Sequence, residues 1–136
     1  MDKLASLYRS AQLYTHNAHN AAHGPTFLED HEFLGELYPA YESAYDSLVE
    51  RMIQQGAPVD FSAILANAVS GMNGLADPAL FPDTMIFAVI QNLERQICAE
   101  IDAILEAQTT GTQNLLAGLA DESEMRQYKV GQRIKP

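Results

Sequence analysis

At 136 residues, 47% of them hydrophobic, the chain is long enough for one packed domain and too apolar to be a disordered one. Eighteen acidic residues against eight basic ones give a net charge of −10, which opposes binding to a phosphate backbone. No apolar run approaches the ~20 residues that cross a bilayer, so no membrane partner is expected. The start, MDKLASLYRS, lacks an apolar signal core, and the single Cys98 has no internal partner for a disulfide; both fit a cytoplasmic protein.

The pattern is helical throughout. Leu4, Leu7, Ala11, Tyr14 and Ala18 recur at three- and four-residue steps and predict a first helix over 3–22. Gly24-Pro25 ends it, because glycine suits the residue beyond a cap and proline cannot continue a helix. A second stripe, Leu34, Leu37, Tyr41, Ala44, Tyr45, Leu48 and Met52, marks a helix from about Thr26 to Gln54, stopped by Gly56-Ala-Pro58. Pro39 lies inside it and bends it or splits it in two; one kinked helix is expected, since the stripe stays in phase across the proline.

Asp60 is placed to cap a short helix over 61–69, followed by the loop SGMNGLADP. Ile86, Ile90, Leu93, Ile97, Ile101 and Ile104 mark a long helix from Pro82-Asp83 to about Gln108. Thr112 is the expected cap of a last helix reaching about Gln127, with Leu115, Leu116 and Leu119 on its apolar face. The connection between the second and third long helices is far longer than an ordinary helix–helix loop. The fold class expected is therefore all-α: a four-helix bundle of the ferritin-like kind, with a long crossover containing a short helix, as a single domain over 1–136. The cations Arg126, Lys129, Arg133 and Lys135 read as a solvated helix end and tail.

All four histidines fall between His16 and His31, followed by well-spaced carboxylates. Imidazole and carboxylate are the ligands that ions such as Fe²⁺ and Zn²⁺ accept. His16, His19 and His23 share a face, within about 60° on a helical wheel, and that face points about 140° away from the helix's own apolar stripe. His31, Gly35, Glu42 and Asp46 share a face of the second helix, with Glu50 one turn beyond Asp46. Asp46 and Glu50 alone read as a solvated acidic flank, and Arg51 as a neutralising neighbour. Both faces flank the core, so a site built from them needs a second subunit. Cys98 reads as packing, and Tyr38, Tyr41 and Tyr45 as core or interface aromatics.

His19, then Gly24, Phe27 and His31, then Asp46, Glu50 and Arg51 resemble the signature of the Dps proteins, the ferritin-like mini-ferritins named for DNA protection during starvation. The 12-residue interval from His19 to His31 and the 15-residue interval from His31 to Asp46 both match, and GTQNLLAGLADESE is similar to the start of the family's last helix. The resemblance implies a homo-oligomer, a dodecameric shell built on two-fold dimers. It also implies a ferroxidase: Fe(II) is oxidised between subunits, by hydrogen peroxide or oxygen, and stored as ferric mineral, a role tied to oxidative stress. His19 and His31 of one subunit would meet Asp46 and Glu50 of its partner. Gly35 stands where the family has an acid, and Glu42, Glu32, Glu36, His16 and His23 are the residues near enough to replace it. Asn20 replaces the family's usual tryptophan. Direct DNA binding is not expected, since the only lysine near the start is Lys3. The competing reading is a ferritin-like structural or zinc-binding protein whose ferroxidase site has decayed.

Overall fold

The stripes read from the sequence become buried faces in a computed structural model that describes all 136 residues. Leu4, Tyr8, Ala11 and Ala18 line α1 (Asp2–Ala21), and Leu34, Leu37, Tyr41 and Leu48 line α2 (Phe27–Gln54). α3 is Phe61–Met72, α4 is Asp83–Ile104 with a single 3₁₀ turn over Leu105–Ala107, and α5 is Thr110–Ile134. One continuous cluster of 24 buried hydrophobic residues joins α1, α2, α4 and α5, and α3 adds Ile64 to it.

Contacts along the helices set the directions. Tyr8 meets Tyr41 and His19 meets His31, so α1 and α2 are antiparallel. Cys98 lies by Ala120 and Gln91 by Gln127, so α4 and α5 are antiparallel as well. Lys3 pairs with Glu100 at one end of the bundle and His23 lies against Asp83 at the other, which makes α1 and α4 antiparallel neighbours. The long connection runs from one end of the bundle to the other, and α3 packs on α1 on the way. There Ser10 Oγ donates to the carbonyl of Ala68, and Tyr14 Oη donates to that of Ala76, each at 2.7 Å. This is the ferritin-like bundle with a helical crossover.

Local signals explain most boundaries. Gly24 takes φ +91°, a left-handed conformation that lets the chain turn between α1 and α2. Asp60 accepts from the backbone N–H of Ala63, the N-cap bond expected of it. α2 runs unbroken through Pro39. Proline has no N–H, so the carbonyl of Gly35 loses its usual donor one turn later.

Four expectations are corrected. α3 extends three residues beyond 69, to Met72. The cap of α5 is Thr109, whose hydroxyl accepts from the backbone N–H of Thr112; Thr112 itself lies buried inside the first turn. α5 also continues seven residues past Gln127, to Ile134, because its polar residues have partners inside the molecule. Arg126 binds Glu94, and Arg133 binds Asp30, so these two cations are structural and not part of a solvated tail.

The Glu94 site is the most polar point of the core. Glu94 is fully buried, and it accepts from Tyr41 Oη, from Ser123 Oγ at 2.6 Å, and from Arg126 Nε. Burial, followed by the charge of Glu94, pushes the Tyr41 phenol well above its ordinary pKa, so it stays a donor. Open clefts lie between α2 and α5, one of about 350 Å³ lined by Phe33, Leu37 and Met125.

Candidate metal centre

The end of α1 and the start of α2 bring two of the predicted histidines into contact. The His19 and His31 rings stack with centres 3.9 Å apart. His19 Nδ1 lies 2.8 Å from the backbone carbonyl of His31, and His31 Nδ1 lies 2.9 Å from the backbone carbonyl of His19. A carbonyl oxygen only accepts, so each Nδ1 carries the proton and donates. Each Nε2 is thereby left as an uncommitted lone pair. That arrangement, Nδ1 on a backbone carbonyl and Nε2 free, is how proteins orient a metal-binding imidazole.

Gly35 makes the stack possible. A Cβ at position 35 would lie 2.9 Å from His19 Cε1 and 3.2 Å from Nδ1, well inside contact distance. The space of the missing side chain is filled by the His19 ring. His19 therefore leans onto α2, where the helical wheel had it pointing away from its own bundle. Phe27 flanks His31 on its other side, with ring centres 5.0 Å apart. His16 is exposed and stacks on Tyr38 at 4.0 Å, and Tyr38 also touches the edge of the His19 group, 5.5 Å from it.

The remaining candidates stand elsewhere. α1 ends at Ala21, so His23 is not on its helical face; its Nδ1 donates to the carbonyl of Ala21 and its ring lies toward Asp83. Glu42, Asp46 and Glu50 are exposed on α2. Asp46 lies 15 residues from His31, about 22 Å along the helix axis, out of reach of the histidines of its own chain. Glu32 and Glu36 are exposed. Arg51 reaches α5, where Nη1 donates to Thr112 Oγ1 at 3.3 Å, so it ties two helices together instead of neutralising Glu50. Within one chain no three His, Cys, Asp or Glu side chains converge on a point that would hold a cation. The imidazole pair does not by itself make a cation site.

Sequence reasoning missed the polar cluster that braces this end. Asp30, beside His31 in sequence, is buried and takes a two-pronged contact from Arg133, Nε to Oδ1 and Nη2 to Oδ2, both at 2.8 Å. Thr26 Oγ1 donates to Asp30 at 2.7 Å. Burial pushes the Asp30 carboxyl up, but the bonds from Arg133 and Thr26 outweigh it and hold it below the ordinary range. Burial and the neighbouring Asp30 raise Asp83, so the two carboxyls titrate as a pair and keep one proton longer. A depressed carboxyl contributes stability above its ordinary pKa of about 4, and loses it as pH falls through the lowered value. Arg133→Ala is therefore expected to cost roughly 1.5–3 kcal/mol at pH 7, the worth of hydrogen bonds to a buried charge. The gap from wild type should narrow below pH 4, read by urea unfolding at pH 7 and pH 3.

The bundle defines a class, a ferritin-like helical fold, here with an imidazole pair at the α1–α2 corner. No protein-family profile and no curated protein sequence matches this chain. Solved structures do. A point mutant of Dps1 from Mycobacterium smegmatis superposes with a TM-score of 0.80 at 17% identity, over 98% of this chain and 91% of that one. The Dps protein of Vibrio cholerae, described as a member of a broad superfamily of ferritin-like diiron-carboxylate proteins, superposes with a TM-score of 0.71 at 20% identity, over 98% and 86%. The chain has the Dps fold along nearly its whole length.

Proposed function

We propose that this protein is a Dps-like mini-ferritin that binds and oxidises Fe(II) at sites shared between subunits and stores the ferric product inside an oligomeric shell. The reading rests on the reciprocal clasp of His19 and His31, which holds two imidazoles with Nε2 free at the rim of a bundle with this fold. The donor chemistry fits iron, since imidazole with carboxylate and open positions suits non-haem Fe(II). Asp46 and Glu50 of the same chain are too far away and Asp30 is committed to Arg133, so Asp46 and Glu50 of a second copy complete the set. Outer residues of α3 support association: Phe61, Leu65 and Val69 form a stripe in which each is half exposed or more.

In this reading iron is the substrate. Two Fe(II) give one electron each to one hydrogen peroxide, which takes up two protons and leaves as two waters. His19 and His31 bind and orient the ion; the carboxylates balance the rising charge. Gly35 favours one competing outcome, a shell that binds zinc without oxidising iron, because it removes an anionic ligand. Anaerobic Fe(II) titration of the full-length protein followed by peroxide separates the two. The expected result is stoichiometric oxidation, lost to background in His19→Ala and His31→Ala. Zinc binding without iron oxidation would establish the competing reading, and full activity in both variants would move the site elsewhere.

A further inference from the structure

We propose that Tyr41 and Glu94 form an internal one-electron donor, which gives up an electron through Tyr38 to radical oxidants that reach the α1–α2 corner. This activity goes beyond the iron reading and does not depend on it.

The chain has six tyrosines and no tryptophan, so its most readily oxidised rings are phenols. A phenol that loses an electron becomes a strong acid, and the loss is easiest where a base already holds its proton. Only Tyr41 donates to a carboxylate, at Glu94 Oε1. That charge-assisted contact is already within reach for proton transfer. Tyr14 donates to the carbonyl of Ala76, which is no base, and the buried Tyr8 hydroxyl has no partner. The Arg9 guanidinium lies 3.8 Å over the centre of the Tyr45 ring, a positive charge that opposes oxidation there. Arg126 lies 5.2 Å from the centre of the Tyr41 ring, but Glu94 balances its charge.

Tyr38 connects this pair to the surface. It is partly buried, stacks on the exposed His16 with ring centres 4.0 Å apart, and lies 5.5 Å from the His19 ring. Tyr41 follows one helical turn later, the i, i+3 spacing that sets two side chains next to each other. An oxidant quenched at the rim therefore draws its electron from the core. With hydroxyl radical as the oxidant, the electron reduces it to hydroxide, the phenolic proton crosses to Glu94, and Tyr41 is left as a neutral phenoxyl radical. The positive charge that remains is on Arg126, which borders the α2–α5 cleft. Tyr41 and Glu94 are fully buried, so the radical is shut away from solvent.

The test oxidises the full-length protein with azide radical, generated by pulse radiolysis with no iron present. Absorbance follows phenoxyl formation and decay. Freeze-quenched electron paramagnetic resonance identifies the ring from the coupling of its Cβ hydrogens, which varies with the side-chain angle. In wild type the signal is expected to settle on one long-lived tyrosine. Tyr41→Phe should shorten its lifetime at least tenfold, Tyr8→Phe should leave it unchanged, and Tyr38→Phe should slow its appearance several-fold. An unchanged lifetime and spectrum in Tyr41→Phe overturns the donor, and unchanged kinetics in Tyr38→Phe overturn the route. Should Tyr41→Phe fail to fold, the wild-type spectrum decides: a coupling that matches the Tyr41 side-chain angle supports the donor, and spin on another tyrosine overturns it.

Discussion

Arg126→Met is expected to destabilise the folded protein by about 3–5 kcal/mol, the cost of leaving a buried charge without its partner. Glu94 is fully buried, and Arg126 supplies the only positive charge it touches. Tyr41 and Ser123 would still donate to it, but neutral donors do not balance a carboxylate. Arg126 also lies over the Tyr41 ring, 5.2 Å from its centre, so its loss removes packing as well as charge. Glu94→Leu combined with Arg126→Met should recover part of the loss, because no buried charge is then left unpaired, although the buried Tyr41 hydroxyl loses its acceptor. Urea unfolding of the single and double variants at one protein concentration decides it. A single variant within 1 kcal/mol of wild type would show that the pair is hydrated and does not anchor the core.

Gly35→Asp is expected to weaken metal binding at least tenfold, although it restores the acid that the family resemblance places there. Its Cβ would come within 2.9 Å of His19 Cε1, so the ring must leave its seat. The stack on His31 and both backbone bonds go with it. Stability should fall by no more than about 1–3 kcal/mol, the worth of the two lost hydrogen bonds, since an acid is no worse than glycine inside a helix. A Co²⁺ titration beside a thermal melt reads the two effects separately. Tighter binding by the variant would mean that position 35 is simply a lost ligand.

The helices were legible because their apolar residues keep phase, and Asp60 and Gly24 carry their own local chemistry. The length of α5 was not read. Its inner face after Leu119 continues as Ser123, Arg126 and Val130, in phase but polar, and only the position of Glu94 on α4 shows that those residues face inward. Glu94 itself stands in register with Ile90 and Ile97, a signal present in the sequence and masked by its charge. The candidate site was legible as a set of residue types. Spacing on a wheel did not reveal that His19 lies across Gly35 or that His16 and His23 part company. Those facts depend on how closely two helices approach, which no single helix encodes.

Arg133 stands three residues before Pro136, and its guanidinium is locked on Asp30, the immediate neighbour of His31. The last turn of α5 and the imidazole clasp are therefore one corner of the molecule. A change that frees this guanidinium from Asp30 would loosen the stacked imidazoles without first having to melt the hydrophobic interior.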